Sequence, residues 1–264
     1  MKVVLTIAGS DCSGGAGVQA DIKTFEAFGV FGTSVITVLT AQNTKGVTDI
    51  SEVEPTFVKN QLEAIFDDFE VSAIKIGMLY SNQIIDIVRE FIKGLDIPIV
   101  FDPVFISKAG SKLFNDDAIA NMKSILPYCK VTTPNLFEAK EMFGYEFGNY
   151  SSLEDIFKTK CAVLIKNHIQ EINLHNRSVD TLYQGRDKST FDTPYQETSN
   201  THGTGCSFSS AIAANLALGK SLEESIQISK KFIYLAIKNA PDLGNGKGPI
   251  AHKIGGEICH IKEN

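Results

Sequence analysis

The chain has 264 residues (28.8 kDa), 43% of them hydrophobic, with 25 basic against 31 acidic residues and a formal charge of −6. That composition excludes fibrous and disordered classes, and an acidic balance without basic blocks argues against general binding to a nucleic-acid backbone. Five cysteines (Cys12, Cys129, Cys161, Cys206, Cys259) with no CxxC spacing argue against a disulfide framework or zinc ribbon and fit a reducing cytoplasm. The apolar run 1–8 ends at Gly9-Ser10-Asp11, too early for a signal peptide or a membrane span.

In chain order, Val3 to Ala8 reads as a buried strand that breaks into a loop from Gly9 to Gly15, followed by a helix from Gln19 to Phe28. Ser34 to Thr40 is a β-branched strand, Pro55 to Phe69 a helix with Val58, Leu62 and Ile65 at helical spacing, and Ala73 to Ile76 a strand. Asn82 to Ile92 is a helix, Ile97 to Phe101 a strand, Ile119 to Leu126 a helix, Val131 to Thr133 a strand and Leu136 to Phe143 a helix. Ser151 with Glu154 has capping-box spacing before a short helix. Ala162 to Lys166 is a buried strand, and Val179 to Tyr183 with Thr190 to Thr193 predicts an antiparallel hairpin. Two helices close the chain, Gly205 to Leu218 and Ser221 to Asn239, the second opened by a Ser221/Glu224 capping box. This alternation predicts a mostly parallel sheet covered on both faces, and no linker-like segment divides residues 1–264, read as one α/β domain.

Two glycine-bearing segments carry the chemistry. The first, Gly9 to Gly17, is not a Walker A loop, because Gly15 is followed by Ala16 rather than Lys. It matches the permissive dinucleotide fingerprint, but no acid stands near Gln42 where that motif needs one. The glycines either make a tight strand-to-helix turn only or, with Asp11, Ser13 and Asp21, surround a polar ligand. The second segment, Asn200 to Cys206, opens an apolar helix, and Gly203 and Gly205 leave its first amides free to face an anion. Cys206 there is either a small core residue or a thiolate favoured by the helix dipole.

The segment Ala8 to Thr24 resembles the N-terminus of the hydroxymethylpyrimidine/phosphomethylpyrimidine kinases of thiamine biosynthesis, which belong to the ribokinase-like superfamily. The resemblance continues in family order through Ser34 to Thr44, Val53 to Pro55, Lys75 to Leu79, Phe101 to Val104, Thr133 to Glu138, Asn200 to Cys206 and Gly248-Pro249. It implies a three-layer α/β/α sandwich whose mostly parallel central sheet carries some antiparallel edge strands. It also implies a cytoplasmic homodimer that moves the ATP γ-phosphoryl group, with Mg²⁺, onto a small aminopyrimidine, with no nucleic-acid or membrane partner. Carried over residue by residue, Gly203, Thr204 and Gly205 form the anion hole, and Cys206 stands where many superfamily members have a catalytic Asp. Gly9, Asp21 and Gln42 are the implied polar contacts of the acceptor, with Met78 and Val104 as apolar walls. Asp102, Asn135, Lys166 and Thr201 are assigned to the nucleotide, and Glu138 to Mg²⁺.

Each assignment has a plainer reading beside it: core packing for Met78 and Val104, a capped helix start for Asn135 and Glu138, a surface lysine for Lys166. The chain departs from the family where Lys166 leads into Asn167-His168-Ile169 instead of Gly-Gly-His, and His168 is expected at the surface. Rival functions are a pyridoxal/pyridoxine kinase, whose acceptor also carries a hydroxymethyl group on a flat ring, and a non-catalytic vitamin-binding or regulatory protein. A Cys206/His202 thiol hydrolase lacks a group to orient the histidine.

Overall fold

The computed structural model describes residues 1–104 and 116–261. The elements run β1 (Val3–Asp11), α1 (Gly17–Ala27), β2 (Phe31–Asn43), β3 (Gly46–Glu52), α2 (Pro55–Asp68), β4 (Val71–Ile76), α3 (Asn82–Ile92), β5 (Ile99–Phe101) and α4 (Asp116–Met122). They continue with β6 (Val131–Thr132), α5 (Leu136–Phe143), α6 (Glu154–Lys158), β7 (Ala162–Ile172), β8 (His175–Gln184), β9 (Asp187–Pro194), α7 (Thr204–Ala217), α8 (Leu222–Lys238) and α9 (His252–Ile261).

The strands form one sheet in the order β3-β2-β1-β4-β5-β6-β7-β8-β9. Strands β2 to β7 in that order are parallel, while β3 at one edge and β8 and β9 at the other are antiparallel. Successive residues of a strand face opposite sides, so the central strands feed two cores. Leu5, Ile7, Ile74, Ile76 and Phe101 pack with Val58, Leu62, Ile84 and Val88 of α2 and α3. Val4, Ala73 and Val100 pack instead with Phe25 of α1, Phe208 and Ile212 of α7 and Phe232 of α8. The result is the expected ribokinase-like sandwich. The chain leaves β1 for β2 on one side and later returns to β4 on the other, which opens a crevice at the carboxyl ends of β1 and β4.

Several expectations need correction. β1 runs on to Asp11: after an irregularity at Gly9, Ser10 and Asp11 pair with Leu39 and Thr40 of β2. β3 was not expected: its Thr48, Asp49, Ser51 and Glu52 give it the polar character of an exposed edge strand. Ser151 and Glu154 do not form a capping box; Asn149 caps that turn by accepting from the Ser151 amide, and residues 150–153 are 3-10 helix. A third closing helix, α9, follows Pro249 and packs its Cys259 into the second core. The Ser221/Glu224 box does form, with both reciprocal bonds present.

Leu62 is fully buried while Leu174, at the β7–β8 turn, is 88% exposed. Leu62→Ala is expected to lower unfolding free energy by about 2–5 kcal/mol and Leu174→Ala by less than about 0.5 kcal/mol, read by urea denaturation.

Candidate active site

The loop after β1 is shaped by one carboxylate. Asp11 accepts at Oδ1 from the amide (2.9 Å) and hydroxyl (2.7 Å) of Ser13, and at Oδ2 from the amides of Gly15 (3.2 Å) and Ala16 (2.8 Å). His202 Nε2 lies 2.7 Å from the same Oδ2. Burial pushes the Asp11 pKa up, but the bonds from His202, Ser13 and the backbone outweigh it and hold the carboxyl far below the ordinary range. Gly17, at φ +58°, then begins α1 so close to the Gly9 carbonyl oxygen that any Cβ would collide with it.

The second glycine segment meets the first directly. Gly203, at φ +79°, caps α7, and a Cβ there would overlap the carbonyl oxygen of Gly15. The His202 amide donates to Gly248 O (2.9 Å), which ties the Gly248-Pro249 segment to the same place. The helix is 14 residues long and has no acidic side chain in its first turn, so its amide end keeps its positive character.

A cavity of about 430 Å³ opens between these segments at the carboxyl ends of the central strands. It brings together Gly9, Gln42, Met78 and Val104 with Asp102, Asn135, Glu138, Lys166 and the run Gly203 to Cys206. Two expected residues are not in its wall. Asp21 is fully buried beneath it: Oδ1 accepts from Lys75 Nζ (3.0 Å) and Ser210 Oγ (2.7 Å), and Oδ2 from Lys75 Nζ (2.8 Å) and Thr6 Oγ1 (2.6 Å). With both oxygens so engaged, Asp21 reaches the cavity only through Lys75, which does line it. Thr201 lines a second cavity of about 260 Å³ together with Ser178, Asp180, Lys230 and Tyr234. The two cavities share Lys166, Thr204 and Gly205.

Charged residues crowd the floor between them. Lys166 is buried, not at the surface, and its Nζ lies 2.5 Å from Asp102 Oδ1. Asp102 also accepts from Thr133 Oγ1 (3.2 Å) and Ser209 Oγ (3.3 Å). Asn135 and Glu138 form a complete capping box, Asn135 Oδ1 accepting from the Glu138 amide (2.9 Å) and Glu138 Oε2 from the Asn135 amide (2.8 Å). Among the described residues no three His, Cys, Asp or Glu side chains converge as a metal site, and no helix is long and apolar enough to cross a membrane. His168 is also not at the surface: its ring is buried against Phe147 (centroids 4.5 Å apart), where burial pulls its pKa down.

Residues 11–251 match the family model of phosphomethylpyrimidine kinase. The chain belongs to that family. The hydroxymethylpyrimidine/phosphomethylpyrimidine kinase of Haemophilus influenzae is 41% identical over 96% of this chain and 97% of its own. The chain also matches, at 40% identity, the Geobacter sulfurreducens thiamine biosynthesis bifunctional protein ThiED, of whose length it spans 53%. Among solved structures, phosphomethylpyrimidine kinase from Clostridium difficile 630 is 38% identical with a TM-score of 0.75, over 90% of this chain and 100% of its own. Pyridoxal kinase from Staphylococcus aureus, in complex with AMP-PCP and pyridoxal, is 32% identical with a TM-score of 0.85, over 96% and 94%. Membership makes the chain an ATP-dependent phosphotransferase.

In this phosphomethylpyrimidine-kinase site, Cys206 lies in the cavity wall at the start of α7. Burial pushes the thiol up, Asp21 and Asp102 add to it, and Lys75 with the Gly17 backbone only partly offset them. Burial works against the charge on Lys75, but the Asp21 carboxylate that holds it and the nearby Asp102 outweigh that and push its pKa up. Lys75 stands in the Lys75 to Leu79 block with no role implied for it. Its signal is a lysine inside the apolar strand Val71–Ile76, on the face it shares with Ala73.

Glu138 is raised to about 7, first by burial and then by Asp102, against the lowering effect of Lys166. Between the ordinary value of 4.5 and about 7 the folded state holds a proton that the unfolded state has lost. Stability from this group is therefore present below that window and lost as pH rises through it. Glu138→Gln is expected to remove up to about 1.4 kcal/mol per pH unit of that slope, measured by urea midpoints across the window.

Proposed function

We propose that this kinase phosphorylates 4-amino-5-hydroxymethyl-2-methylpyrimidine with ATP and then phosphorylates the monophosphate to the diphosphate, in thiamine biosynthesis. The observation that carries the reading is the pair of cavities joined at Lys166, Thr204 and Gly205. A group-transfer enzyme needs donor and acceptor on opposite sides of one charge-stabilising point, and the amide end of α7 is that point. The larger cavity, walled by Met78 and Val104 and read by Gly9 and Gln42, takes the pyrimidine; the smaller one, with Thr201, takes the nucleotide.

In the transfer, the hydroxymethyl oxygen bonds to the γ-phosphorus, the bond from that phosphorus to the β,γ-bridging oxygen breaks, and the alcohol proton leaves. Gly203, Thr204 and Gly205 turn their backbone dipoles to the charge that spreads over the transferring oxygens, and Lys166, held by Asp102, adds a fixed cation. Cys206, in the wall of the larger cavity, would receive the alcohol proton; burial pushes its thiol up, which disfavours the ionised form a base needs, and electrostatic stabilisation carries more of the barrier. Mg²⁺ fits the donor set: Glu138 spends one oxygen on its cap, and a cation beside it would draw it into the carboxylate form. Asp102 and Asn135 border the same place. When bound, the ion would neutralise triphosphate charge, as magnesium does with one or two carboxylates and substrate phosphates.

A second reading, a pyridoxal kinase, is favoured by one observation: the TM-score is higher to the S. aureus pyridoxal kinase, 0.85 against 0.75, although identity runs the other way. Purified protein with ATP and Mg²⁺, offered hydroxymethylpyrimidine, its monophosphate and pyridoxal in parallel, decides between them by mass spectrometry. Pyrimidine mono- and diphosphates are the expected products. Pyridoxal phosphate alone would replace the acceptor, and no product with any of the three would favour a non-catalytic binding protein. Cys206→Ala is expected to lower kcat by about 10²-fold with the KM for ATP little changed; undiminished turnover would remove the base role from the thiol.

A further inference from the structure

The acceptor cavity contains a short polar chain in which Gln42, an implied acceptor contact, is joined to three residues with no assigned role: Asp11, His202 and Thr40. His202 Nε2 stands 2.7 Å from Asp11 Oδ2 and 3.3 Å from the amide end of Gln42 placed as Nε2. The other end of that amide, placed as Oε1, lies 3.1 Å from Thr40 Oγ1, and Thr40 Oγ1 also lies 2.9 Å from the carbonyl oxygen of Ser10.

Proton counting fixes what these distances mean. The Asp11 carboxylate only accepts, so at 2.7 Å the His202 Nε2 must carry a proton and donate it, which leaves that nitrogen no lone pair with which to accept. An amide NH₂ facing it would set two donors against each other, so the Gln42 end toward His202 is the carbonyl oxygen. Thr40 gives the same answer independently. Its one hydroxyl proton goes to the Ser10 carbonyl, which can only accept, so toward Gln42 the hydroxyl accepts and the amide end there is the NH₂. One end-for-end exchange of the amide satisfies both contacts.

From this we propose that His202, held by Asp11, is a positioning residue that fixes which way round Gln42 presents its amide to the acceptor. The inference rests on reading the larger cavity as the acceptor pocket. The ring of His202 is itself fixed, because it packs against Gly15 so closely that a Cβ at Gly15 would enter it. With the amide locked, Gln42 offers its remaining lone pair on the His202 side and its remaining N–H on the Thr40 side. An aminopyrimidine edge, one N–H donor beside one ring-nitrogen acceptor, meets both in a single register. A pyridine carrying a phenolic oxygen has no such pair, and meets at most half of it. The His202–Asp11 pair thus acts on acceptor preference through Gln42, without touching the transferred phosphoryl group.

The test is a double-mutant cycle of His202→Ala and Gln42→Ala, with kcat and KM measured for hydroxymethylpyrimidine, pyridoxal and ATP. His202→Ala is expected to raise the pyrimidine KM about tenfold, leave the ATP KM within about twofold, and lower preference for pyrimidine over pyridoxal. The double variant should be no worse than Gln42→Ala alone. Multiplicative effects, or an equal loss with both acceptors, would overturn the proposal by making His202 only a support of the loop. If His202→Ala does not fold, ¹⁵N-histidine NMR of the wild-type protein decides instead: a protonated Nε2 is required, and an unprotonated one refutes the arrangement. If the wild type phosphorylates neither acceptor, the proposed function fails, while the NMR result still tests the proton placement by itself.

Discussion

The site depends on the Asp11 carboxylate. It accepts from the amides of Ser13, Gly15 and Ala16 together, so it gives the loop after β1 its shape. It also bonds His202, just before α7 and 191 positions further along the chain. The loop that Asp11 shapes also sets the Gly15 backbone directly against Gly203, at the seam along which the two cavities meet. An anion hole and an acceptor pocket built on separate, loosely joined loops would drift against each other; here one buried ion holds both.

The charges below the cavities are costly features with a functional logic. Asp21–Lys75 and Asp102–Lys166 are ion pairs with almost no exposure. Such pairs rarely stabilise a fold more than well-packed apolar residues would, because both ions lose their water. Their hydroxyl partners Thr6, Ser210, Thr133 and Ser209 supply part of what water would have given. What the pairs provide is a rigid field under the point where phosphoryl charge develops, already oriented before substrate arrives. Cys206 sits under the same field: burial pushes its thiol up, and Asp21 and Asp102 add to that while Lys75 pulls the other way.

The central strands and most helices were legible because their signals are local. Asn82–Ile92 and Leu136–Phe143 match their periodicity at both ends, and Ser221 with Glu224 announces the start of α8. What escaped were elements whose identity is set by partners far along the chain. β3 is polar and becomes a strand only by pairing with the end of β2, and β1 extends past its apolar run for the same reason. In the site, the glycines and the Asn135/Glu138 box were readable as motifs, whereas the burial of Lys166 and His168 was not. Asp21 looked like a ligand contact because it is an acid beside a glycine loop, but its helix turns it down onto Lys75. Lys75 and His202 needed the fold to bring them to their partners.

The most direct measurement is steady-state kinetics of Asp11→Asn with both substrates varied, alongside a thermal melt to show that the variant is folded. An amide in place of the carboxylate cannot accept from every donor around it, so both glycine segments should lose their relative placement. The account predicts that kcat falls and both KM values rise together, each by about tenfold or more, in a folded protein. A folded variant with wild-type kcat and KM values would contradict it, and the tie between the two loops would then have no catalytic role.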